Sequence, residues 1–348
     1  MPTAEAVPGL LTAAARLSVE RTVDRTTVHR HNPSEVFLTD ARPVGPENFV
    51  AAALLPGTHP HYTGRTGPAG RCPDPMLLLE CCRQAETYAA HAFFGVDAAS
   101  SFILRSCSVD LSAEAARAAA AAPSGPSELR MAVVTGNPRR IGGRLHSLDY
   151  DFELRVAGTA IGAVRMEVGY LAPDAYAKVR SRGRPTPPPR SDGRLPVTAG
   201  QPVAPARVGR TRSTDTLLLD AVADGGGVRA ALRVPVENPS LFDHAQDHVP
   251  GMVLMEAARQ LAALAVDARG EGTPDRTVLV GLSASFAAFA ELDAPVTMTA
   301  VRTGGGGSPE GPSPVEMTFH QGGADIARMT AVLAPVPGLP SATGEREG

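Results

Sequence analysis

Residues 242–266 read FDHAQDHVPGMVLMEAARQLAALAV. A polar, histidine-bearing approach ends at Pro250-Gly251, and the apolar run beyond it predicts about four turns of helix. Stepping ~100° per residue from Glu256, the side chains of Arg259, Gln260 and Asp267 share one arc. Leu254, Ala258, Leu261 and Ala265 share the opposite one. On a short, Ala-rich helix such a stripe either faces solvent or is buried with partners. The chain then repeats it. Residues 74–91 read DPMLLLECCRQAETYAAH, and an offset of 176 residues lays Met76, Leu78, Glu80, Arg83 and Gln84 on Met252, Leu254, Glu256, Arg259 and Gln260. Here Glu80, Arg83, Gln84, Thr87 and His91 share one face, with Leu78, Cys82, Ala85 and Ala89 behind. A solvated face has no reason to keep Glu, Arg and Gln at the same steps twice, so the chain holds two copies of one supersecondary unit.

Working outward, RVGRTRSTDTLLLDA answers TVHRHNPSEVFLTDA, and RAALRVPVENPSLFD answers FVAAALLPGTHPHYT. Strand-like text begins near Thr26, at 36–39 and at 49–55; more comes after the first helix at 102–111 and 129–135. Residues 145–168 are the clearest hairpin, with Tyr150, Phe152, Leu154 and Val156 alternating against Asp149, Asp151, Glu153 and Arg155, and Ala157-Gly158 at the turn. The second half continues with strands at 278–286, 296–303, 315–320 and 326–335. The GGGGSPEGPSP stretch at 304–314 has no GK[ST] ending and reads as a loop between strands. Each unit is therefore strands, one long helix, then about four more strands. The predicted class is α+β, a tandem hotdog fold in which an antiparallel sheet wraps each central helix and the two sheets meet edge to edge as an internal pseudo-dimer. The expected divisions are an N-terminal arm (1–23), a first unit (24–177), a Pro/Arg-rich linker (178–205), a second unit (206–336) and a flexible tail (337–348).

A length of 348 residues suits two domains with their own cores, and 43% hydrophobic with 20% charged residues is ordinary globular composition. A net charge of −3 argues against a nucleic-acid partner. No stretch reaches the ~18 apolar residues of a membrane span and no secretion signal is visible, so a cytoplasmic protein is expected. Cys72, Cys81, Cys82 and Cys107 lack paired metal spacing and read as reduced packing residues. Asp243-His244 with Asp247-His248 has no supporting ligand pair elsewhere, so neither metal nor cofactor is expected.

FDHAQDHVPGMVLMEAARQ resembles the hotdog acyl-thioester dehydratases and, together with LLLECCRQAETYAAH, more closely the A-factor biosynthesis hotdog family, over roughly residues 24–335. That resemblance implies transfer of a 3-oxoacyl group from an acyl carrier protein or CoA to a hydroxyl of dihydroxyacetone phosphate. The ester then closes to a butenolide phosphate, a precursor of γ-butyrolactone signals. It also implies a functional carboxylate at Glu80 and a functional arginine at Arg259. Cys81-Cys82 replace residues of Thr-Ile type usual in that family, which bears on the acyl pocket.

The residue types suit that chemistry. A half-buried carboxylate with a raised pKa serves as base, the N–H groups after Pro250-Gly251 face an oxyanion, and Arg259 or Arg83 holds a phosphate. Glu256, Arg83 and His244 complete the candidate catalytic set; Gln84, Gln260, Gly251, His248, His61 and Cys82 are candidate substrate contacts. In paired hotdog units the loop of one meets the helix of the other, so Glu80 and Arg259 are expected to converge, with the acyl tail against Leu78, Cys82, Leu254 and Ala258. The structural alternative is an intrahelical Glu–Arg pair at i, i+3, worth only ~0.2–0.5 kcal/mol. Capping or loop bonding is the alternative for His244, His248, His59 and His61, and a partnered helix end for His91. The competing functions are a dehydratase or thioesterase on acyl thioesters and a non-catalytic acyl-binding regulator. Monomer and homodimer both remain open.

Overall fold

The computed structural model describes residues 9–115, 125–196, 198–224, 227–268, 272–303 and 313–336. The first half holds β1 (Leu38–Pro43), β2 (Asn48–Leu55), a long helix, then β3 (Ser101–Leu111), β4 (Ser127–Ile141), β5 (Arg144–Val156) and β6 (Thr159–Leu171). The second holds β7 (Leu218–Asp224), β8 (Gly227–Leu232), a long helix, then β9 (Thr277–Phe286), β10 (Thr297–Arg302), β11 (Ser313–Gln321) and β12 (Ala324–Pro335). The helices are the short α1 (Leu10–Ala14), the first long helix α2 (Pro75–Ala92), α3 (Pro173–Ser181) and the second long helix α4 (Gly251–Asp267). All twelve strands form one sheet in the order β1-β2-β4-β5-β6-β3-β9-β12-β11-β10-β8-β7. The second half thus mirrors the first across an antiparallel β3–β9 joint, where Cys107 faces Ala284 and Ser106 faces Ser285. This is the tandem hotdog that the repeat predicts.

Local chemistry explains the elements. Along β5, Tyr150, Phe152, Leu154 and Val156 point into the core while their charged neighbours face out. Ala157 (φ 48°) and Gly158 (φ 83°) close the hairpin with two left-handed residues, the turn whose twist matches paired strands. Both long helices are buried nearly all round, because the sheet covers one side and the turn before each unit's first strand, with the other long helix, covers much of the rest. One continuous hydrophobic cluster runs from Leu79, Leu129 and Phe152 to Leu261, Met298 and Phe319. Each such side chain contributes ~1.5–3 kcal/mol of burial.

Three local expectations change. The text near Thr26 is not strand but a 3-10 turn, Arg25–Val28, because Asp24 caps it through the Thr26 N–H (2.8 Å). The N-terminal arm contributes α1, whose Leu10 and Ala14 pack on the outer face of β2 and β4 against Val50, Ala52, Ala132 and Val134. Residues 178–181, read as linker, complete α3, and Ser191 farther on bonds Gln246 in both directions (2.7 and 2.9 Å). The glycine-rich loop at 304–312 and the tail at 337–348 lie outside the described residues.

Candidate active site

Each long helix carries the same buried lock. On α2, Glu80 accepts from Arg83 Nε and Nη2 (both 2.8 Å), from Gln84 Nε2 (2.7 Å), and from Arg30 Nε (3.1 Å) on the turn before β1. Gln84 also ties the helix to the β1 edge, accepting from the Phe37 and Leu38 N–H groups and donating to the Glu35 carbonyl. On α4, Glu256 accepts from Arg259 Nε (2.8 Å) and Nη2 (2.7 Å), from Gln260 Nε2 (2.6 Å) and from Arg210 Nε (3.0 Å). Gln260 reaches the Leu217 N–H and the Asp215 carbonyl. Burial alone raises a carboxyl pKa, but Arg30 and Arg83 outweigh it and hold Glu80 at about 2. Arg210 and Arg259 hold Glu256 well below the carboxylate range in the same way. The expected raised-pKa base is therefore corrected: each glutamate is a fixed anion.

The halves differ in what covers the lock. At α4 the cover is complete. Arg210 is 0% exposed and bonds the His61 carbonyl (2.8 Å) and Asp74 (3.3 Å). His61 is pinned to Asp215 at 2.9 Å, and Asp74 caps α2 through the Met76 N–H (2.8 Å). At α2 the corresponding cover is missing. The residue 176 positions after Asp74 is Pro250, which gives α4 no side-chain cap, so the first N–H groups of α4 are left without a capping carboxylate. A cavity of about 530 Å³ opens there, between α2 and the 240–251 loop of the other half. A larger hollow, about 730 Å³, crosses the outer sheet face at the β3–β9 joint. Its walls include serines, threonines and paired charges such as Arg165 with Asp151 (2.7 Å), and no residue of the two long helices lines it.

The cavity has a polar end and an apolar body. Arg83 presents its edge at the polar end: Nε and Nη2 are taken by Glu80, while among the described residues Nη1 has only a long contact to Thr87 Oγ1 (3.5 Å). The Arg83 side chain is 23% exposed against 6% for Arg259. His29 stands beside it in a left-handed conformation (φ 52°), where the second half uses Gly209 (φ 70°). Burial and the neighbouring His91 and Arg83 push His29 down to about 4, so the ring is neutral near pH 7. The body is lined by Phe102, Leu104, Val168, Met252, Leu254 and Phe286. Gly251 sits against this wall, where a Cβ would come 3.3 Å from Phe286 Cζ.

The loop is held from both halves. Asp243 accepts from the His31 (2.6 Å) and Asn32 (2.9 Å) N–H groups and from His244 Nδ1 (3.2 Å). Despite burial, these bonds bring it down to about 2. Asp247 binds His248 (2.6 Å), Tyr176 (2.7 Å) and Arg180 (3.0 Å). Arg180 also donates twice to Glu291 (2.8 Å each) and lies 4.3 Å from the Phe289 ring centre.

Of the expected residues, the cavity brings together Arg83, His244, His248, Gly251 and Leu254, with Arg30 of the Glu80 lock in its wall. Glu80 and Arg259 do not converge: each is bound to the partner on its own helix. Arg259, Glu256, Gln260 and His61 belong to the covered lock, and Gln84 is a strut between helix and sheet. Leu78, Cys82 and Ala258 are core residues outside the cavity wall, so the tail contact expected there is corrected to Leu254 and its neighbours. Arg30, Arg180 and Glu86 went unforeseen. For Arg30 a signal existed, since the aligned segments HR and GR place it opposite Arg210.

The family described as AfsA: A-factor biosynthesis hotdog domain matches residues 11–171 and 194–337. A protein of Streptomyces virginiae named 2-oxo-3-(phosphooxy)propyl 3-oxoalkanoate synthase is 35% identical over 281 residues, covering 79% of this chain and 85% of that one. A protein of the same name from Streptomyces coelicolor is 32% identical over 342 residues, covering 95% and 98%. Among solved structures, a candidate thioesterase from Novosphingobium aromaticivorans aligns with a TM-score of 0.50 at 12% identity, covering 85% of this chain and 98% of that one. At that identity the likeness concerns the fold alone.

Proposed function

The chain belongs to the A-factor biosynthesis hotdog family, and from that premise we propose that it joins a 3-oxoacyl group to a hydroxyl of dihydroxyacetone phosphate. The donor is a thioester on an acyl carrier protein or CoA, and the products are 2-oxo-3-(phosphooxy)propyl 3-oxoalkanoate and the free thiol. The observation that carries this reading is the pairing, in one cavity, of the exposed Nη1 edge of Arg83 with an apolar body leading to an uncapped helix start. A phosphate-bearing acceptor needs a fixed cation, and Glu80 fixes this one by occupying its other edge. The thioester oxygen faces the N–H groups of Gly251 and Met252, where developing negative charge is stabilised by the helix start. The acyl tail runs along Leu104, Val168, Leu254 and Phe286, and the carrier approaches past Arg105 and Arg190 at the cavity rim. Transfer in the cytoplasm, where thioester donors are made, suits the buried cysteines.

Mass spectrometry of the products from a 3-oxoacyl thioester, with and without dihydroxyacetone phosphate, tests this. The ester is expected only with the acceptor present. Free 3-oxo acid or a dehydrated thioester, formed regardless of acceptor, would assign the cavity to a thioesterase or dehydratase instead.

A further inference from the structure

Glu86 lies on α2 about 240° around the helix from Glu80, beside Arg83 but off the repeated face. It lines the cavity and is 2% exposed. One carboxylate oxygen accepts from Tyr170 Oη (3.0 Å), which contacts Tyr150 Oη (2.7 Å); the other accepts from Thr87 Oγ1 (3.1 Å). No arginine among the described residues bonds it. The duplicated frame shows what the fold itself needs at these three places. The residue 176 positions after Glu86 is Ala262. Counted from the matching two-residue turns Ala157-Gly158 and Gly322-Gly323, Tyr170, which faces Phe102 on β3, answers to Pro335 on β12, which faces Thr277. By the same count Tyr150, which pairs with Met166 on β5–β6, answers to Val315, which pairs with Ala331 on β11–β12. In the closed half these three places hold Ala262, Val315 and Pro335, none with a carboxyl or hydroxyl group. A buried carboxyl with two tyrosines is costly without a return, and it occurs only where the cavity is open.

We propose that Glu86 is the proton-carrying catalytic residue of the acyl transfer, a role that rests on the reaction proposed above. Its carboxylate takes the proton of the acceptor hydroxyl as that oxygen bonds the thioester carbonyl carbon. The resulting oxyanion re-forms the carbonyl, the C–S bond breaks, and the proton passes from Glu86 to the departing sulfur, giving the thiol. Burial, partly offset by the Tyr170 bond and Arg83, sets the carboxyl at about 7, suited to giving and taking a proton. The groups around it are Arg83 and Thr87 on α2, Tyr170 on β6, Tyr150 on β5, and, across the cavity, Asp243, His244, Asp247 and His248.

The test is the pH profile of ester formation by wild type, Glu86→Gln and Tyr170→Phe, each checked for folding by circular dichroism. Glu86→Gln is expected to lower kcat by ~10²–10³-fold with the donor KM unchanged and to erase the limb near pH 7. Tyr170→Phe removes a bond to the carboxylate, so its limb is expected to move to higher pH. If wild type forms the ester but Glu86→Gln keeps both kcat and limb, the limb belongs to a histidine across the cavity and the inference is overturned. A wild type that forms no ester overturns the acyl-transfer reading, and this role with it.

Discussion

Arg83 and Glu80 form one ion pair with a structural role and a proposed binding role, and substitution separates them. Arg83→Lys keeps a positive charge but cannot fill both the Glu80 edge and the acceptor edge. The acceptor KM is expected to rise ~10–100-fold, with the donor KM nearly unchanged; steady-state kinetics with each substrate varied separately decides it. Glu80→Gln leaves Arg30 buried, and Arg83 half-buried, without their anion. A loss of ~3–5 kcal/mol is expected in denaturant unfolding, far beyond an exposed i, i+3 pair. The same carboxylate imposes a pH dependence. Its folded pKa of about 2 lies below the unfolded value near 4.5, so its stabilisation is complete above that value and lost as pH falls through 4.5 towards 2. Glu256 acts in the same direction, so wild type should lose stability steeply in this window and Glu80→Gln less so. The repeated Glu-Arg-Gln spacing was legible because it recurs at one offset. The lowered pKa was not, because it depends on Arg30, 50 residues from Glu80 in the chain. Glu86 was invisible for the opposite reason: it breaks the repeat, and only the cavity gives it meaning.

At the scale of elements, the loop that lines the cavity is held by a helix whose last turn reads in the sequence as linker. Pro and Arg dominate 178–205, and the short run before it has little helical periodicity of its own. Helix α3 is stabilised by tertiary bonds: Arg180 is buried and joins the Asp247 side chain and carbonyl to Glu291, while Tyr176 donates to Asp247. The strands were readable because a half-buried sheet writes its alternation into consecutive residues, as in β5 and β6. A loop clamped by an arginine 67 residues away leaves no such record. Arg180→Ala should therefore act on the loop more than on the core. Hydrogen exchange is expected to quicken across 243–248 while β5 and β6 stay protected, and kcat should fall about tenfold through loss of positioning. Unchanged exchange in that loop would show that its own Asp–His contacts suffice.

The whole molecule is a duplicated frame in which one site is open and its twin is filled. Asp74 in one half and Pro250 in the other sit at the same helix start. The carboxylate of Asp74 seals its side with Arg210 and the Met76 N–H, whereas the proline leaves a cavity. The β3–β9 joint and the shared core bind the halves into one sheet, so damage to the closed lock is felt as lost stability of the whole. Arg259→Lys tests this division of labour. Arg259 gives Glu256 two short bonds and reaches the Val208 carbonyl, all within the closed half. A lysine there supplies one donor group in place of the fork, so denaturant unfolding should show ~1–3 kcal/mol less stability. Because that lock is buried away from the cavity, both KM values should stay within about twofold of wild type under conditions where the variant is folded. Arg83→Lys, the same exchange at the twin position, is expected to do the reverse, moving the acceptor KM through the open cavity. If Arg259→Lys raises the acceptor KM as much as Arg83→Lys does, the closed lock opens in solution and the molecule has two working sites.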